Sequence, residues 1–216
     1  MKVRDYKSKY IIVTGIVLLI SLVANIYQGL SMNEYKQALK KESYENIENI
    51  RYTNDSILTI LQGSVKAKKI TNEELLLLYT SYNTLAECDT VLWKEYVKDE
   101  HNLFGNKVGD TSELVDTQVF WNIEEMLYGY LIANSDSMEM GNEILQVFIT
   151  MKLLSEEISN MYIDFYKDNC NGLENEDREK RMIKKDYWIE IFEEIQSINS
   201  KYIDYPFIYE ENTMET

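Results

Sequence analysis

One proline, Pro206, stands in 216 residues, with eight glycines, two cysteines and one histidine. Each scarcity excludes something. Proline breaks helices and glycine weakens them, so their rarity argues for long helices rather than a turn-rich β architecture. The single histidine, His101, leaves no way to write the paired Glu-x-x-His motifs of di-iron bundles. A zinc site takes three or four ligands at local spacings, and neither a second histidine nor a cysteine is near His101. A catalytic triad would also have to use His101, which no nucleophile elbow accompanies. It is read as a surface-loop residue. No catalytic, cofactor-binding or metal-binding residue is expected.

"DNCNGLENED", residues 168–177, has the outline of a calcium loop but fails in detail. Glycine at the sixth position would be Gly172, which puts Lys167 where the first aspartate must stand. A helix stop at Gly172 followed by an acidic helix start explains the same residues without an ion.

Basic residues are scarce: 22 Lys and Arg against 37 Asp and Glu, a net charge of −15. Beyond residue 30 the balance is 18 against 36, or −18. Binding nucleic acid or an anionic membrane surface requires local positive charge, so neither is expected of that part.

Long apolar runs are absent except for one. Between Lys9 and Glu34 lie 24 consecutive uncharged residues, including "YIIVTGIVLLISLVANIYQGL" over 10–30. As a helix they rise about 36 Å, enough for a hydrocarbon core of roughly 30 Å. Tyr10 and Tyr27 mark the edges, where amphipathic rings favour the headgroup region. Cleavage as a signal peptide fits poorly: at "LVAN" Ala24 is preceded two positions earlier by the bulky Leu22, and the apolar run continues past it. The segment reads as a retained anchor. Lys2, Arg4, Lys7 and Lys9 precede it, whereas Lys36, Lys40 and Lys41 follow among acidic residues. The positive-inside rule therefore puts the N-terminus in the cytoplasm and the bulk outside.

The remainder reads as amphipathic helices. Ile47, Ile50, Asn54, Ile57 and Leu61 step by three and four, predicting a first helix that continues to about Gln62 and ends at Gly63. "TNEE" predicts a capping box, Thr71 with Glu74, opening a second helix striped by Leu75, Leu78, Tyr82, Leu85, Asp89, Leu92 and Tyr96. Residues 100–110 form a long loop. Asp110 with Glu113 then opens a third helix, carrying Leu114, Val119, Ile123, Met126, Leu127 and Tyr130. After "NSDS" (134–137), Asp136 with Glu139 opens a fourth, carrying Ile144, Phe148, Met151, Ile158, Tyr162 and Phe165. A single fifth helix begins near Glu176, with Ile183, Tyr187, Ile191, Ile195 and Ile198 on one face. No strand pattern competes. The fold class is all-α: an N-terminal transmembrane helix continuing into an antiparallel four- to five-helix bundle. The organisation is a cytoplasmic basic segment (1–9), an anchor (10–30), an extracytoplasmic bundle (31–205) and an acidic, loose tail (206–216).

In such a bundle the second and fourth helices run parallel, and Cys88 and Cys170 would sit roughly 24 Å apart along the axis, beyond disulfide reach. Two unbridged thiols are expected. Asn54 and Asp89 interrupt apolar stripes and are the candidates for a polar core or pocket. A slight rotation of each stripe would put them at its rim, the plainer expectation.

The layout of basic N-terminus, span and helical bundle is similar to the input half of bacterial chemoreceptors. That resemblance implies an extracytoplasmic ligand-sensing bundle. Chemoreceptors place a second span after their bundle. This sequence ends at "FIYEENTMET" without one, so a signal would be expected to pass through a membrane partner. The leading expectation is instead a non-enzymatic interaction or scaffold protein at the outer face of a bacterial membrane. It would touch the bilayer through residues 10–30 and hold a protein partner, with Tyr79, Trp93, Trp121 and Trp188 as interface candidates. A cavity lined by tyrosines and Asn54 or Asp89 would favour sensing, and a closed core would favour scaffolding.

Overall fold

The computed structural model describes residues 3–100, 118–133 and 136–209, with side chains from residue 14 onward except those of Asp99 and Glu100. The side chain of Tyr10, and His101, Asp110, Glu113 and Leu114, lie outside the described residues, as do 210–216 of the tail. Six helices carry the described chain: α1 (Val3–Ala67), α2 (Asn72–Glu100), α3 (Gln118–Ala133), α4 (Asn142–Asn169), α5 (Asn175–Lys185) and α6 (Tyr187–Ser200). Two short strands, β1 (Lys69–Thr71) and β2 (Ser137–Glu139), complete it. The protein is all-α in class, with a long N-terminal helix. It divides into two units, Met1–Glu42 and Ser43–Thr216.

The first unit is a helical segment. Every described residue from Thr14 to Ala38 is exposed. Its apolar side chains surround the helix rather than striping one face. An 18-residue window of mean hydropathy 1.7 is long and apolar enough to cross a membrane, and none of it is buried.

In the second unit the expected stripes are the core. Ile47, Ile50, Ile57 and Leu61 on α1 and Leu75, Leu78, Tyr82, Leu85, Leu92 and Tyr96 on α2 are all buried. So are Val119, Ile123, Met126, Leu127 and Tyr130 on α3, and Phe148, Met151, Ile158, Tyr162 and Phe165 on α4. Antiparallel packing follows from paired contacts. Residue numbers rise on α1 as they fall on α4, where Ile47 meets Tyr162 and Asn54 meets Ser155. The same holds for α2 and α6, where Asp89 meets Gln196 and Tyr96 meets Glu193.

The first helix does not stop at Gly63. It continues to Ala67 and ends where Lys68 turns left-handed at φ 51°. One glycine costs a helix only about 1 kcal/mol. Ser64, buried beyond it with its hydroxyl bonded to the Ile60 carbonyl at 2.9 Å, keeps the next turn packed.

The expectation of no strands is corrected. β1 and β2 pair antiparallel, Ile70 opposite Met138, and both of those side chains point into the core. Asp136 and Glu139 therefore do not open α4: the Asp136 carbonyl accepts the Asn72 N–H at 2.8 Å, Glu139 pairs with Lys69 at 3.3 Å, and α4 starts only at Asn142.

The capping box of α2 is present as expected. The Thr71 N–H donates to Glu74 at 2.9 Å, and the Glu74 N–H donates to the Thr71 hydroxyl at 3.2 Å. The stop expected at Gly172 comes earlier: α4 ends at Asn169 with Cys170 as its cap, and Gly172, at φ 76°, shapes the turn beyond, where the Leu173 N–H donates to the Cys170 carbonyl at 3.1 Å. The single fifth helix is in fact two, broken at Asp186 with φ 55° and ψ 33°, a conformation that aspartate adopts more readily than most residues. Ile191, Ile195 and Ile198 are buried as expected, Ile183 and Tyr187 only half so, and α6 also buries Trp188, Phe192, Gln196 and Asn199. Residues 206–209 are not a loose tail: Phe207 is buried, and Tyr209 lies edge-on against Tyr130 at 5.1 Å.

Candidate functional site

Asn54 and Asp89 are buried, not at a rim. Asn54 is 1% exposed and Asp89 0%. Each serves a different helix pair. The Asn54 amide donates to the Ser155 carbonyl at 2.9 Å and to the Ser159 hydroxyl at 3.0 Å, tying α1 to α4. The Gln196 amide donates to Asp89 at 2.8 Å, tying α2 to α6. A buried polar group without a partner costs about 1–3 kcal/mol, so each pair penalises a slipped register. They act as register pins, and neither lines the two surface clefts described below.

A second polar cluster joins α1, α4 and α5. Arg51 donates to Glu48 at 2.7 Å, the Tyr166 hydroxyl donates to the same carboxylate, and the Arg51 and Arg178 guanidinium groups lie 5.6 and 4.9 Å from the Tyr166 ring centre. Burial, reinforced by Glu48, pushes the neighbouring Tyr44 hydroxyl up to about 12. Burial first and Glu48 second hold Tyr166 protonated well above the usual tyrosine range. Within it the Arg51 and Arg178 Nε atoms are buried without a hydrogen-bond partner, their guanidinium groups resting on the Tyr166 ring instead.

The cysteines are unbridged and buried. Burial pushes the Cys88 thiol up to about 11, which suppresses the thiolate and its reactivity. The Cys170 thiol donates to the Met182 sulfur at 3.8 Å.

Two surface clefts stand out among the described residues. A shallow one of about 280 Å³ is lined by hydroxyl side chains of α1 and α2, among them Tyr52, Ser56 and Thr80. The larger, about 620 Å³, runs between α3 and residues 203–209. Its construction depends on Gly129. A Cβ there would stand 2.5 Å from the Tyr209 ring and 2.6 Å from its Cβ, so only glycine lets the C-terminal segment lie this close to α3. Tyr128, Tyr205 and Tyr209 supply aromatic walls, and Asn122, Glu125 and Asp204 supply polar ones. Sequence reading missed this cleft because residues 206–216 look like a disposable acidic end. The signal that could have found it was "YPFIY", three aromatics around the chain's one proline.

The chain matches no family model, no curated protein and no solved structure. Its site is read from its own geometry.

No group of three or more His, Cys, Asp or Glu is arranged to hold a metal among the described residues. Of the aromatic interface candidates, Trp188 is core and Trp93 packs against Tyr96 and Phe192. Tyr79, 5.8 Å from Tyr128, and Trp121, which is 38% exposed, stay at the surface.

Proposed function

We propose that the protein is a single-pass, membrane-anchored helical bundle, non-enzymatic, that holds a protein partner at the outer face of the cell membrane. The observation that carries this reading is the exposure of the first unit. Ile16, Val17, Leu18, Leu19, Ile20, Leu22, Val23, Ile26 and Leu30 are each between 55 and 65% exposed on one helix. Each such side chain gains about 1.5–3 kcal/mol on leaving water, and a bilayer accepts all faces of a helix at once. The basic N-terminal flank favours a cytoplasmic start, and the acidic bundle suits the outer side, where no anionic surface must be bound.

The scaffold reading is supported over the sensing one by the fate of Asn54 and Asp89, both committed to helix pairing rather than facing a cavity. The test has two arms. Alkaline carbonate should leave the intact chain in the membrane pellet, and protease added outside should remove the bundle while sparing residues 1–9. Affinity capture from native membranes with a C-terminal tag should recover a specific partner. Release by carbonate removes the anchor. Capture of nothing specific removes the scaffold role.

A further inference from the structure

We propose that the cleft between α3 and residues 203–209 binds an alkylammonium group, carried by a free amine or by a lysine side chain of another protein. The inference goes beyond the anchoring role and does not depend on it. Three features of the cleft carry it. Its aromatic lining is Tyr128, Tyr205, Phe207 and Tyr209, and aromatic ring faces attract organic cations within about 6 Å. Among the described residues that line it, the two charged groups, Glu125 and Asp204, are both carboxylates, and none is Lys, Arg or His. Neither carboxylate has an ion-pair or hydrogen-bond partner among the described residues.

Other ligand classes fit less well. An anion would meet two like charges and no cationic donor. A metal ion would find only two carboxylates where calcium takes six to eight oxygens. A wholly apolar molecule would strip water from Glu125, Asp204 and Asn122 and return nothing. An alkylammonium satisfies both halves of the lining: its charge faces the carboxylates and its carbon chain lies on the rings. A volume of about 620 Å³ is in the range of small-ligand sites. Because the cleft is open to water, affinity for an isolated group should be on the order of millimolar.

The test uses the full chain in maltoside micelles, which contribute no ammonium of their own. Choline is titrated beside its uncharged carbon isostere, 3,3-dimethylbutan-1-ol, with ligand-observed NMR reading weak binding. Choline should bind at least tenfold more tightly. The double variant Glu125→Gln, Asp204→Asn should weaken choline about tenfold, and Tyr128→Leu several-fold. These three residues are exposed, and circular dichroism checks that the helices are retained. The isostere comparison on the wild-type chain needs no variant at all. Equal binding of the isostere, no effect of either variant, or no saturation by choline up to roughly 50 mM would each overturn the assignment. Spermidine and a lysine-containing peptide of equal charge then separate the sources: tighter binding of the peptide assigns the cleft to a protein's lysine, and tighter binding of spermidine to a free amine.

Discussion

Helix α1 carries apolar residues of two kinds. From Thr14 to Leu30 they surround the helix and stay exposed, so no protein interior receives them. From Ser43 onward they return every third or fourth residue and are fully buried, Ile47, Ile50, Ile57 and Leu61 each at 0%. Periodicity, more than apolarity, decides whether a side chain belongs to a protein core. A stripe has an inside to face, and a helix apolar all round has none and must take its second solvent from elsewhere. The polar residues invert the comparison. The exposed segment has no charged residue between Lys9 and Glu34 and leaves its few polar ones, such as Asn25 and Gln28, exposed, whereas the bundle buries several and pairs them across helices.

The largest effect should come from breaking the first region. Leu18→Arg with Leu22→Arg puts two charges at the centre of the apolar run. Each costs about 2.5–3.5 kcal/mol on insertion scales, enough together to shift partitioning by roughly several thousandfold or more. Carbonate extraction should move the variant from pellet to supernatant, while far-UV circular dichroism of the bundle stays unchanged. Retention in the pellet would mean that the segment is not what holds the chain.

The second effect tests whether buried polarity in the bundle is a pin or a convenience. Asp89→Ala leaves the Gln196 amide buried without its acceptor and should cost about 2–4 kcal/mol. Replacing both partners, Asp89→Leu with Gln196→Leu, should recover much of that, because neither member of the pair is then buried without the other. Urea denaturation of Asp89→Leu, Gln196→Leu and their double gives the coupling. Additive single effects would show that the 2.8 Å contact contributes nothing of its own.

A third, smaller effect concerns the close approach at Gly129. Gly129→Ala forces the Tyr209 ring and Cβ outward, and overpacking of this kind costs about 1–3 kcal/mol. The loss should be local. Hydrogen exchange should quicken at residues 203–209 and stay slow on α2 and α4. Uniformly faster exchange would make the segment part of the global core instead.

The core was the legible part. Stepping by three and four from Ile47 or Leu75 names buried residues one after another, because burial on a helix repeats at the helical period. The pairing strands were not legible. Three residues are too short to show alternation, and Asp136 with Glu139 imitates a helix start. The break at Asp186 was hidden for a related reason. Nothing in the Lys185-Asp186-Tyr187 neighbourhood is glycine or proline, so the left-handed turn rests on aspartate's tolerance for it. Of the site, Asn54 and Asp89 were visible as interruptions, but their partners were not. Gln196 could have been found by stepping from Trp188 through Phe192, the face that α6 actually buries. The cleft needed the tertiary fold, since Tyr128 and Tyr205 lie far apart in sequence.

The smallest effect is a titration, and its sign is fixed by the contacts. Lys201 donates to Glu157 at 2.6 Å and Tyr202 at 2.7 Å, and these bonds, the Lys201 one foremost, hold the Glu157 carboxyl below its usual range. A depressed carboxyl contributes stability that is present above the unfolded value, about 4.3, and is lost as pH falls through the folded one. The pair is solvent-exposed, so its worth is a fraction of a kcal/mol, of the order measured for surface ion pairs. Glu157→Gln should therefore lower the urea midpoint slightly at pH 7, and the gap from wild type should close as both are taken to about pH 3, where the wild-type carboxyl is also neutral. High salt should shrink the gap at pH 7 for the same reason. A gap that ignores both pH and salt would make Glu157 a packing residue of α4, and the bond from Tyr202, not the charge of Lys201, would then be what fastens the chain after α6 to the bundle.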